Sequence, residues 1–293
     1  LITMMSKQYG DVVGTPIVET VCNAFDAQKE FGTEKFPIIV SKKNGYIHIK
    51  DCGGGIDPEK MENVVLDYGT STKTAEDIGG YGLGLKSVFA YTDIFFIDSV
   101  VNGIKYCYQL IHESFKGVTF LLLSQTPVNE QNGSDIFWKI KVGDEDQFNN
   151  AVKTKLKYFR NLIVEDFNFD NHFKIFETEN YIYSSLSKNN SLEICLGGVV
   201  YPINYSLLSR RGSVPLPGAL KFSLNEGLKP PPNRETIEYT TKAIEIINNK
   251  IDVVLAELEK RYRDQFKPEY DSLDEIIKDN NLRNYLKLSD NLT

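Results

Sequence analysis

The sequence predicts an α+β fold in two parts, and three observations carry that prediction. One helical segment comes first, short strands joined by Asn-Gly turns follow it, and a second run of strands closes on a long amphipathic helix. Strands succeed one another instead of alternating with helices, which excludes the parallel sheet of a Rossmann or P-loop domain. No G-x-x-x-x-G-K-[ST] run occurs in the 293 residues.

In chain order, TPIVETVCNAFDA (15–27) reads as a helix with Thr15 as its cap and Pro16 at the first helical position, where its missing N–H costs nothing. Ile17, Val18, Val21, Cys22 and Phe25 share one face. Glu19, Asn23 and Asp26 share another at i, i+4, i+7. That polar stripe is either a solvated surface or a set of groups aimed at a ligand. PIIVSKK and YIHIK are strands around a Lys-Asn-Gly turn, with His48 on the exposed side. Asp51 ends the second strand, Gly53-Gly54-Gly55 follows, and Asp57-Pro58 opens another helix.

Residues 69–81 are polar, Gly-rich and aperiodic, the composition of a loop. A short helix is expected from Leu83. IFFIDSVV and IKYCYQLI form a hairpin on Asn102-Gly103, GVTFLLLS reads as a buried strand, and SDIFWKIKV adds another. Asp144 to Asn161 has helical period and reads as a connector. HFKIFET, YIYSSL, SLEICLGGVVYPI and GALKFSLN are strand-like. After GLKPPPNRE, a helix is expected from about Glu235 to about Gln265. The expected boundaries are 1–143, 144–161, 162–267 and a helical tail over 268–293.

A net charge of −7 argues against a surface that coats nucleic acid. No apolar run approaches the roughly 18–20 residues of a membrane span and no signal peptide is evident, so a cytoplasmic protein is expected. Four scattered cysteines without a C-x-x-C pair fit buried thiols, and three scattered histidines argue against zinc.

Helical E-x-x-x-N-x-x-D-A, strand-borne D-x-G-x-G and G-x-x-G-x-G before a helix occur in this order. Together they resemble the GHKL (Bergerat-fold) ATPases, which include gyrase B, MutL, the ninety-kilodalton chaperones, MORC proteins and sensor histidine kinases. The resemblance implies a Bergerat sandwich: a mixed, largely antiparallel sheet with helices on one face. A smaller transducer-like (S5-like) α+β domain and a long helix would follow.

The resemblance also implies the site. Glu19 would be the general base that aligns water on the γ-phosphate, a role worth about 10²–10⁴-fold. Asn23 would hold Mg²⁺ through its side-chain oxygen. Asp26 would line the pocket or make a structural hydrogen bond. Asp51 would read adenine through its exocyclic amine, with Gly53 and Gly55 admitting the base. Thr70 and Ser71 would support base and sugar. Gly79, Tyr81, Gly82, Leu83 and Gly84 would cradle the phosphates at a helix start. Lys86 would reach phosphate or a carboxylate. Lys229 or Arg234, flanking PPPN, would supply a basic residue to the γ-phosphate; Arg234 could instead pair with Glu238.

IGGYGLGLKS is similar to the MORC version of this box. SVFAYTD, GGVVYPI and PPPNRE look like the phage rIIA (rapid-lysis) family. The implied activity is Mg-dependent ATP hydrolysis that drives domain closure and a nucleotide-dependent homodimer. The client would be a protein or nucleic acid, in the host cytoplasm if the chain is phage-encoded. Two rivals are a nucleotide-binding scaffold with little turnover and a Bergerat-type protein kinase, the latter disfavoured by glutamate at position 19.

Overall fold

Two Asn-Gly turns set the pairing of the first sheet. β1 (Ile38–Lys43) and β2 (Tyr46–Lys50) join through Asn44 at φ 53° and Gly45 at φ 78°. β3 (Ile94–Val101) and β4 (Ile104–Glu113) join through Asn102 at 50° and Gly103 at 78°. Positive φ at both central residues is the type I′ geometry that matches strand twist. The computed structural model describes residues 10–66, 85–113, 117–167, 175–184, 186, 192–208, 214, 216–230 and 235–266.

With β5 (Gly117–Pro127), β6 (Gly133–Lys139) and β7 (Leu162–Glu165), these strands form a seven-stranded sheet ordered β5-β4-β3-β6-β2-β1-β7. β7 runs parallel to β1 and the other neighbours are antiparallel. Ile47 and Ile49 are buried while Tyr46 and His48 are half-buried, so one sheet face takes the core. His48 is not the exposed residue expected. Its Nδ1 lies 3.1 Å from the Asp135 carboxylate and its ring stacks on Phe137.

α1 (Gly14–Phe31) packs on β1 and β2 and against α3 (Glu145–Lys155). It is buried from Gly14 through Cys22, with Ile17, Val21 and Cys22 wholly enclosed. A helix so enclosed is the central element of its layer, and the solvated-stripe reading of Glu19 and Asp26 fails. α2 (Pro58–Leu66) starts as expected, with Asp57 Oδ1 accepting the Lys60 N–H at 2.8 Å.

Other expectations change as well. Thr15 lies inside the first turn of α1 and does not cap it; the Gly14 N–H donates to Asp11 Oδ1 at 2.7 Å. Leu85–Ala90 is a 3₁₀ helix. β5 is an edge strand, with Leu121, Leu122 and Leu123 51%, 43% and 54% exposed. Apolar composition there marked a sheet edge, because a strand with one neighbour lacks cover on its outer side. The segment expected as a connector over 144–161 divides: α3, which ends at Lys155, and residues 159–161 belong to the first unit, and Leu156–Tyr158 to the second.

The chain divides into two compact units, Leu1–Lys155, Phe159–Asn171 and Pro232–Glu235 in one, and Leu156–Tyr158, His172–Pro231 and Thr236–Thr293 in the other. In the second, β8 (Ile175–Glu177), β9 (Tyr181–Ser184), β10 (Leu192–Leu196), β11 (Val199–Pro202) and β12 (Gly218–Phe222) form a sheet ordered β11-β10-β12-β9-β8. α4 (Thr241–Phe266) lies against β12 and buries Ile247, Ile251, Val254 and Leu258. It starts six residues later than expected, where Thr240 Oγ1 accepts the Ala243 N–H at 3.1 Å. Two mixed, largely antiparallel sheets with few helices make the fold α+β, as the sequence predicts.

Candidate functional site

Strand register builds one end of the site. Asp51 follows β2 beside Ser134 of β6, and Ser134 pairs with Ser99 of β3. The three continue the helix-facing rows that hold Ile49, Ile136 and Ile97. The inner face therefore changes from apolar to polar where the strands end.

Asp51 is 5% exposed. Its Oδ1 accepts the Gly53 N–H at 2.7 Å and the Ser134 N–H at 3.3 Å. Among the described residues both hydrogen bonds go to that one oxygen. Burial pushes the carboxyl up to about 6, while the two backbone N–H groups pull the other way. Asp51 is thus a buried carboxylate, ionised at neutral pH and oriented by its own strand ends.

The adjoining turn is clamped from α1 and the loop that follows it. Gln28 Oε1 accepts the Cys52 N–H at 3.2 Å, and Thr33 Oγ1 donates to the Cys52 carbonyl at 2.7 Å. Ile56 N donates to Ser99 Oγ at 2.6 Å. These partners, with Gly133 whose missing Cβ lets the chain pass the Asp51 carbonyl, escaped the sequence reading. They join segments distant in sequence, and no local motif announces them.

Gly53 and Gly55 serve packing against the protein itself. A Cβ on Gly53 would meet the Ala27 side chain at 2.9 Å. One on Gly55, at φ 76°, would meet the Val100 carbonyl at 2.4 Å.

Glu19 and Asp26 are 5% and 7% exposed and Asn23 is half-buried, all on α1. Glu19 precedes Ala27, the neighbour of the Asp51 turn, by about 12 Å along the axis at about 1.5 Å per residue. Thr70, Ser71, Gly79, Tyr81, Gly82, Leu83, Gly84 and Arg234 lie outside the described residues, as does the Lys86 side chain. Lys229 is exposed in the second unit, and its carbonyl accepts the Glu238 N–H at 2.9 Å. Residues 235–240 are not helical, so Glu238 precedes the long helix and is not on it.

A cavity of about 290 Å³ opens at the same sheet end. Lys50, Asp98, Lys105 and Asp135 line it. These alternate with the buried inner-face residues, and Asp51, Cys52 and Ser134 line the cavity beside them. Among the described residues no three His, Cys, Asp or Glu side chains gather around a metal position. No described helix is long and apolar enough to cross a membrane.

Residues 13–137 match the sequence model of the family described as histidine kinase-, DNA gyrase B- and HSP90-like ATPase. Among solved structures, the ATPase region of Saccharomyces cerevisiae topoisomerase II is similar, with TM-score 0.51 and 12% identity over 80% of this chain and 84% of that chain. At such identity the likeness is one of fold. No curated protein matches the chain by sequence. The family match gives residues 13–137 the likeness of a GHKL ATPase domain.

Proposed function

We propose that the chain binds ATP with Mg²⁺ and hydrolyses it. The observation that carries this reading is the enclosure of two carboxylates, Glu19 and Asp51, along one buried helix and the sheet end beside it. A carboxylate is buried at a cost unless a ligand or partner uses it. Asp51 would accept the adenine amine and Glu19 would take the proton from the attacking water. Asn23, on the same helix stripe, would offer Mg²⁺ a side-chain oxygen. Magnesium would neutralise phosphate charge in the site. Gly79, Gly82 and Gly84 would approach the phosphates, and Arg234, or else Lys229, would meet the γ-phosphate. Support for these assignments comes from the motif order and the family match over residues 13–137.

In this reading nucleotide state controls closure and a homodimer, and the rIIA-like or MORC-like character concerns the client. Phosphate release from Mg-ATP, with gel filtration in ADP, ATP and a non-hydrolysable analogue, tests it. The expected result is turnover plus a larger species with the analogue. Binding without phosphate release would favour the scaffold, and radiolabel retained on protein would favour the kinase.

A further inference from the structure

Helix α1 begins without a side-chain cap from its own N-cap residue, Val13. Asp11 takes that part, with Oδ1 on the Gly14 N–H at 2.7 Å and Oδ2 3.0 Å from Lys155 Nζ. The backbone of Asp11 is itself held. Gly10 N and Asp11 N both donate to Oε1 of Glu235, at 2.5 and 3.0 Å. Glu235 stands 224 residues beyond Asp11 in sequence, yet Pro232–Glu235 belongs to the first compact unit. The approach is close: a Cβ on Gly10 would meet both Glu235 carboxylate oxygens at 3.3 Å.

We infer that Glu235 is a positioning residue, a latch that fixes the lead-in of α1 to the chain segment following Arg234. Two N–H groups on one carboxylate make charge-assisted hydrogen bonds, roughly twice as strong as neutral ones. They order Gly10 and Asp11, Asp11 orders the first turn, and Glu19 follows just over one turn later. The Asp11–Gly14 bond spans three residues and can form with the helix, but the backbone of Asp11 is held by Glu235. The direction in which the helix starts is therefore set when Glu235 is docked, so the orientation of Glu19 depends on a remote part of the chain. Displacing a reacting group by about 1 Å can cost about 10²-fold in rate. The latch therefore acts on turnover and leaves base binding at the Asp51 turn alone. Its effect on turnover rests on the ATPase reading; the hydrogen bonds do not.

The test compares Glu235→Ala with Glu235→Gln, which retains an oxygen able to accept both N–H groups. The measurements are kcat and KM for Mg-ATP, ADP affinity, and amide hydrogen exchange over residues 10–18. In Glu235→Ala, kcat falls at least about tenfold at unchanged ADP affinity, and exchange quickens at Gly10, Asp11 and the first turn. Glu235→Gln stays near wild type in both. Unchanged exchange at Gly10 and Asp11 in the alanine variant overturns the latch. So does a joint fall of kcat, ADP affinity and melting temperature shared equally by both variants, which would mark a merely structural residue. Should the wild type hydrolyse no ATP, the functional reading fails separately and the exchange comparison still decides the latch.

Discussion

The Asp51 turn and the start of α1 are held by opposite means. The turn is closed by neighbours within the first unit's sheet and helix: Ser134 on the Asp51 carboxylate, Gln28 and Thr33 on the Cys52 backbone. The helix start relies on Asp11 and, through it, on Glu235 far along the chain. Under the proposed function, a base-reading end made this way would be complete whenever the first sheet forms. The catalytic end of that proposal would be complete when Glu235, far along the chain, docks. Changes at the first end should therefore weaken ATP and ADP alike, and changes at the second should slow turnover at constant ADP affinity.

Glu19→Ala gives the largest contrast. Turnover should fall at least about a hundredfold, the small end of general-base effects, while Mg-ATP and ADP bind as before. The variant should then accumulate the ATP-bound form. Hydrolysis near the wild-type rate would remove Glu19 from the mechanism.

Asp51→Asn reverses the pattern. The amide oxygen can accept the Gly53 and Ser134 N–H groups, so the turn survives, but a donor replaces the second carboxylate oxygen. A lost hydrogen bond to a charged group costs about 1.5–3 kcal/mol, or roughly ten- to a hundredfold in affinity for both nucleotides. Burial raises the Asp51 carboxyl to about 6, above its unfolded value. The folded protein thus binds this proton more tightly than the unfolded chain, and the group adds stability as pH falls below 6. Wild-type nucleotide affinity should do the opposite, weakening below about pH 6 as the acceptor is protonated. Asp51→Asn should flatten that profile by calorimetry and melt no earlier than wild type at neutral pH. An unchanged affinity would refute the adenine role.

Arg234→Ala asks whether the segment next to Glu235 also delivers charge. ADP affinity should hold, because ADP has no γ-phosphate, and turnover should fall about tenfold or more, modest beside arginine effects of about 10³–10⁵ elsewhere. Lys229→Ala in parallel assigns the basic residue. Normal hydrolysis in both variants would leave the site complete without either.

Much of this was legible in sequence because it is local. Asn-Gly dipeptides announce both hairpins, the alternation of Ile47 and Ile49 marks the inner face, and Asp57-Pro58 announces α2. What stayed hidden is long-range. Thr15 looks like a cap, yet Asp11 fills that place, supported by Glu235. Ser134, Ser99, Gln28 and Thr33 reach Asp51 and its turn through strand register and tertiary packing, which carry no short motif. GVTFLLLS has the composition of a core strand and lies at an edge, because composition reports burial averaged over many proteins and not the number of neighbours.

The smallest effect sharpens the contrast between remote and local support. α2 owes its start to Asp57, whose Oδ1 accepts the Lys60 N–H three residues on, a bond that forms with the helix itself. Asp57→Ala removes this cap and should cost about 1 kcal/mol of stability, seen as a lower melting temperature. Nothing in that loss reorients Glu19, so kcat and ADP affinity at a temperature well below melting should match wild type. Glu235→Ala, which keeps the Asp11 side chain but frees its backbone, should melt no earlier than Asp57→Ala and yet hydrolyse more slowly. If Asp57→Ala slowed turnover as much, rate would be tracking stability in general, and the distinction between a locally started helix and a remotely latched one would lose its functional meaning.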